Sequence, residues 1–319
     1  MYKPSRLVGI LGCAATLAMV GCSTNSNVTP FSGATTQQPM QSRAFSGPDW
    51  IYSGGVLYHR PHYMITAKMA SSRVRQDITL SYGGGPVLVH PHIYITFWGY
   101  NTYGDPNSVK PLLSRYGRVL GGSPLNNVET QYYEKVGSKT INITNPLKQR
   151  LKLPWEDDVN PVPSQPTDAQ VAAEAAKAVA HFGYDANGSY VVATPHGHSI
   201  AGFGTSFCAY HSSTIVNSKP VAYTNLPYMP DAGGSCGAGF ISPPSDETSA
   251  DEGVTIVEGH EYAESITDPV PFSGWNSGFG EIGDLCAWTN VQNDPFRTYS
   301  YSSQPEFSNA SQSCVHHYP

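Results

Sequence analysis

His260, Glu261 and Glu264 form an HExxE pattern. Glu281 and Asp284 follow it beyond a Gly-rich turn at residues 273–280. On a helix, an imidazole and a carboxylate four residues apart lie one turn apart and can grip a single ion. Both are zinc ligands, and a catalytic zinc keeps three protein ligands and a water. The expected ligands are therefore His260 and Glu264 with Glu281 or Asp284, and Asp268 is the next choice. The pattern departs from HExxH, which supplies two imidazoles. Glu261 occupies the position of the general base in that related pattern. The chemistry this implies is zinc-dependent hydrolysis, with Glu261 taking a proton from the attacking water. His211 or His196 would stabilise the developing oxyanion.

The elements that must position these groups are partly legible. Ser249 with Glu252 reads as a capping box, placing a helix start near Ala250. Asp268 before a proline should end that helix. At about 100° per residue, Ile256, Val257, His260, Ala263, Glu264 and Thr267 share one arc, away from Glu258 and Ser265. An inward-facing histidine and carboxylate are costly unless something satisfies them. Upstream, residues 87–98 read as one long apolar strand, with His90 and His92 on one face. Residues 108–119 and 167–182 read as helices, the second capped by Thr167 and ended by Gly183. Residues 139–143, 189–194, 221–226 and 298–302 read as strands. Residues 126–133 carry a weaker helical pattern. The strand at 189–194 runs into a loop bearing His196 and His198, and His211 follows close to Cys208. Residues 50–75 are rich in Tyr and His and show no period.

The chain has 319 residues, 39% hydrophobic and only 13% charged, with 31 Gly, 26 Pro and 20 Tyr. Such a composition suits a loop-rich exported protein. A net charge of −6 and the lack of a basic run argue against nucleic acid as a partner. Lys3 and Arg6 precede an apolar stretch that ends at Gly21-Cys22. This resembles a bacterial lipoprotein signal, so residues 1–22 are expected to be removed up to a lipidated Cys22 that anchors the chain to a membrane. Of the six cysteines, Cys208, Cys236, Cys286 and Cys314 then remain, an even set suited to disulfides. The sequential pairing, Cys208 with Cys236 and Cys286 with Cys314, is the expected one.

Several pieces occur in a specific order: Gly84-Gly85-Pro86-Val87-Leu88, Phe97-Trp98-Gly99, Tyr190-Val191-Val192, Phe207-Cys208, the HExxE residues, Thr267-Asp268-Pro269, Trp275, and Glu281-Ile282 leading to Asp284 and Cys286. Together they resemble the EXORDIUM/phosphate-induced protein family over residues 81–314. That resemblance implies an extracellular protein and makes the HExxE helix and the second acidic segment a linked pair. The expected architecture is a single zincin-like α/β (α+β) domain at residues 76–319. It has a mixed sheet, an active-site helix and disulfide-braced loops, and it is preceded by a tether and an ambiguous region at 23–75. The expected function is an exported zinc metallopeptidase, with peptide or cell-wall material as its partner, in the bacterial cell envelope or outside the cell. The competing expectation is a non-catalytic envelope-binding or signalling protein whose metal is structural. A third is a metal-free buried network of His260, Glu264 and Asp284.

Overall fold

The computed structural model describes residues 47–71, 78–241 and 246–319. The signal segment, Cys22 and most of the tether lie outside the described residues. The largest feature is an eight-stranded mixed sheet. Its strands are β1 (Trp50–Ser53), β2 (Val56–His59), β3 (His62–Ile65), β4 (His92–Trp98), β5 (Trp155–Asp157), β6 (Gly188–Ala193), β7 (Phe207–Val216) and β8 (Lys219–Leu226). They run in the order β1-β2-β7-β8-β6-β4-β5, and β3 also pairs with β7. The β8-β6, β6-β4 and β4-β5 pairs are parallel, and the others are antiparallel.

The sheet is covered on both faces, and the alternation of its strands shows why. On β4, Ile93, Ile95 and Phe97 enter one core while Tyr94 and Trp98 enter the other. On β6, Val191 and Ala193 face one way, Tyr190 and Val192 the other. The first core is closed by α1 (Val109–Val119) and α3 (Glu252–Thr267), the second by α2 (Asp168–Phe182). Each fully buried Val, Leu or Ile of these faces contributes about 1.5–3 kcal/mol. The helix α2 matches its sequence pattern: Thr167 and Gln170 form a reciprocal capping box, and Gly183 ends it.

The other helices and strands correct the sequence reading in specific ways. β4 is shorter than the apolar run before it; residues 87–89 are buried but not in a strand. His90 lies outside β4 and bonds Thr144, whereas His92 bonds Asp185. The folded domain also begins well before residue 76, because the hairpin β1-β2 and strand β3 belong to the main sheet. The helix α3 starts at Glu252 with Asp251 as its cap residue, so Ser249 is not the cap. Thr248 instead hydrogen-bonds the Asp251 carboxylate. Nor does α3 have a polar outer face. Glu258 and Ser265 are as buried as His260. The reason lies downstream: β9 (Gln292–Phe296) and β10 (Tyr299–Ser303) pair with each other, and β10 caps the far side of α3, where Thr255 donates to the Ser302 carbonyl at 2.9 Å.

Both disulfides have the expected sequential pairing, Cys208–Cys236 and Cys286–Cys314, each across 28 residues. One ties the start of β7 to the loop that leads toward α3. The other ties the acidic segment after α3 to the last strand of the chain.

Candidate metal centre

His211 lies on β7, on the face that α3 covers. Directly opposite it in the β3–β7 register stands His62. Cross-strand partners project to the same side of a sheet, and the two imidazole rings lie 5.6 Å apart, centre to centre. The helix α3 brings Glu261, Glu264 and His260 down onto this pair. The segment carrying Glu281 and Asp284 closes the cluster from the side. Its Asp284 amide donates to Glu264 Oε1 at 3.1 Å, and Cys286 anchors it two residues on.

The contacts are close and mostly buried. His62 Nε2 is 2.6 Å from Asp284 Oδ2, and its Nδ1 is 4.0 Å from Glu281 Oε1. His211 Nδ1 is 3.2 Å from Glu264 Oε2 and 3.6 Å from Glu261 Oε2; its Nε2 is 3.4 Å from Glu281 Oε2. His260 Nε2 is 3.1 Å from Glu264 Oε1. Two sets of donor atoms could each hold an ion, His62 with Glu264 and Asp284, and His211 with Glu261 and Glu264. All these side chains are fully buried except His62, at 12% exposure, and Asp284, at 2%.

The hydrogen bonds within the cluster leave several of its atoms without a partner. Both ring nitrogens of His211, both oxygens of Glu281, Glu264 Oε2 and Asp284 Oδ1 close no hydrogen bond of acceptable geometry among the described residues. Several sit at hydrogen-bond distance but are wrongly directed. Buried polar atoms of this kind are costly unless something satisfies them. A divalent cation does so, and imidazole with carboxylate is a donor set suited to zinc. The residues present therefore fit such an ion.

Electrostatics within the cluster are strongly coupled. Burial opposes charge on His62, but Asp284, Glu264 and Asp268 outweigh it and lift the ring to about 9. Burial pushes His211 down, with Glu264 pulling against it. Burial, reinforced by Glu264, drives Glu261 well above the carboxylate range. Glu281 moves the same way, through burial and then Asp268 and Glu264. Burial resists ionisation of Glu264 too, yet His260 and His211 hold it well below its ordinary value.

His260 is held in a defined tautomer. The Gln304 amide nitrogen donates to the Gly283 carbonyl at 3.0 Å and also meets His260 Nδ1 at 3.0 Å. Its oxygen accepts from the Trp288 amide. A carbonyl can only accept, so the Gln304 NH2 group is the one beside Nδ1. In the neutral ring that makes Nδ1 the acceptor and leaves the proton on Nε2, which lies 3.1 Å from Glu264 Oε1 without hydrogen-bond geometry. Gly283 packs flat under the ring: a Cβ there would lie 2.6 Å from Nδ1.

Of the other sequence candidates, His196 and Asp268 do not join the ion-holding sets. His196 is in an exposed loop, its Nδ1 2.6 Å from Asp231, and the structure does not bring it into the cluster. The loop leaves β6 and is held by the segment after β8, so its geometry belongs to that surface. Asp268 accepts from the Gly274 amide at 2.6 Å and the Ser273 amide at 3.0 Å, so it organises the loop after α3. Glu261 is turned to His211 and is wholly buried. His62 and Gln304 were not found from the sequence. His62 sits two residues before the inward-facing Met64, and that period of two is the one cue in a stretch otherwise crowded with Tyr and His.

Beside the cluster runs a cleft of about 1100 Å³, and Asp284 contributes to its wall. Its lining also includes Phe240, Phe279, Trp288 and Leu285, and Asp284 is its one charged residue among the described residues. The Trp288 indole donates to the Ile65 carbonyl at 2.7 Å, tying the cleft to the end of β3. Trp288 and Phe272 both take φ near +60°, a costly conformation for bulky residues that clusters at functional sites. Phe272 is half exposed and packs edge-on against His62 at 4.9 Å.

Among characterised proteins, the chain is similar to Protein EXORDIUM-like 5 of Arabidopsis thaliana, with 31% identity over 144 residues. The match covers 38% of this chain and 38% of that relative, so the chain matches little more than a third of the relative's length. No family model and no solved structure matches the chain. The relative's name specifies no reaction. The similarity supports the family resemblance and is silent on a metal.

Proposed function

We propose that this protein is an exported, metal-dependent hydrolase of the EXORDIUM-like kind, acting on peptide bonds presented in the aromatic cleft. The observation that carries this reading is the buried set of unsatisfied imidazole and carboxylate atoms beside a large cleft. The ion would be held by His62, Glu264 and Asp284, the set that includes both of the partly exposed side chains. Zinc there would supply Lewis acidity and a more acidic water. His62 and Asp284 hold the edge nearest solvent, and Phe240, Phe279 and Trp288 offer apolar surface to an uncharged substrate segment. In this reading His260 is a positioning residue. Its Nε2 packs 3.1 Å from Glu264 Oε1 and confines that carboxylate in place of ligating. Glu261, wholly buried against His211, is not the base that the HExxE pattern suggests. Glu281 stands 4.0 Å behind His62 Nδ1 and places negative charge behind that ring.

A second reading rests on the burial itself. With all but two of the cluster's side chains fully enclosed, the metal could brace the fold of a non-catalytic envelope-binding protein, since structural sites are closed and catalytic ones open. The two readings separate in one assay. Purified protein is incubated with a casein and peptide panel, with and without EDTA, beside Asp284→Asn. The hydrolase cleaves, and loses cleavage to EDTA and to Asp284→Asn. A structural metal gives no cleavage in any arm, while EDTA still lowers the melting temperature.

A further inference from the structure

We infer that the same cluster holds a second divalent cation, deeper than the first, at His211, Glu261 and Glu264, with Glu264 bridging the two ions. This rests on the reading that the cluster binds a cation at all, but it stands on different atoms. His211, Glu261 and Glu264 present donor atoms that all lie within 4.8 Å of one another, as do His62, Glu264 and Asp284. Glu264 is common to both sets. A carboxylate with two oxygens can serve two ions, and two-metal centres place their ions about 3.5–4 Å apart.

His211 provides the independent sign. It is fully buried, neither ring nitrogen closes a hydrogen bond among the described residues, and its Nδ1 lies 3.2 Å from Glu264 Oε2 and 3.6 Å from Glu261 Oε2. On the other side of the ring, Nε2 faces Glu281 Oε2 at 3.4 Å. That is the arrangement of a metal-bound histidine with a carboxylate behind it. The other Glu281 oxygen lies 4.0 Å from His62 Nδ1. One buried carboxylate thus stands near both imidazoles, whose remaining nitrogens face two donor sets that share Glu264.

The inner site has no solvent-exposed ligand, so its ion would set the position and charge of Glu264 and would not touch a substrate.

The test is a zinc titration of the full chain after chelator stripping, followed by calorimetry, with folding checked by circular dichroism. Wild type should take up two equivalents. His211→Gln and Glu261→Gln should each fall to one. His62→Gln should also fall to one, and His62→Gln with His211→Gln should bind none. Glu261→Gln preserves shape and so guards against a His211 variant that fails to fold. A wild type binding one equivalent, lost with His62→Gln but kept in Glu261→Gln, would overturn the inner site and leave the outer one standing. Folded wild type that binds no zinc would overturn both.

Discussion

At the scale of single residues, the account turns on Glu264 and on what holds it. His260 and the Asp284 amide fix one of its oxygens, and His211 meets the other. Glu264→Gln keeps the shape but removes the charge, so it should abolish retained metal while the chain still folds. Gly283→Ala tests the packing under His260. The added methyl would sit 2.6 Å from Nδ1, too close for any real contact. Overpacking of this kind costs about 1–3 kcal/mol, so the urea midpoint should fall, and metal affinity with it. A residue away from the centre contributes to the pH response. Burial lifts Glu247 to about 7, against hydrogen bonds from Ser302 and Thr255. An unfolded glutamate titrates near ~4.3. The folded state therefore holds this proton more tightly, and the contribution favours folding at low pH and is lost as pH rises through 7. Glu247→Gln should leave stability near pH 4 little changed and raise it relative to wild type at pH 8, as urea unfolding at the two pH values would show.

At the scale of elements, the centre is a strand pair, a helix and a disulfide-tied turn. The Cys286–Cys314 bond fixes the turn two residues beyond Asp284, and Cys208–Cys236 fixes β7 three residues before His211. Closing loops of 28 residues restricts the unfolded chain by about 3–4 kcal/mol each. Reduction should therefore lower the melting temperature and also weaken metal retention. Cys286→Ser with Cys314→Ser should show both effects, measured by thermal unfolding and by metal analysis. The elements also show what was readable in advance. The helix α2 was legible because its cap, its end and its alanine face all agree. The HExxE helix was legible in place but not in its surroundings. Its amphipathic reading assumes one wet side, and β10 covers that side with residues far along the chain. β7 is buried on both faces, so it shows no alternation to read. β3 carries His62 within only four residues, where a period of two has little length to emerge. Half of the centre therefore depends on a strand pairing that no local pattern announces.

At the scale of the whole molecule, the mixed sheet and the disulfide-braced loops were foreseen as an architecture, whereas the covering of both sheet faces was not. Its earlier start, in the hairpin at residues 50–59, was not. That hairpin matters because it flanks β7 and leads into β3, placing His62 opposite His211. The metal, if it links β3, β7, α3 and the turn at Asp284, joins four parts of the chain distant in sequence. The most direct test of the central claim is elemental analysis of the purified protein beside Glu264→Gln. The account predicts stoichiometric zinc or a similar divalent metal in wild type and none in the variant. Metal-free wild type that is folded, and whose melting temperature neither added zinc nor EDTA changes, would contradict it.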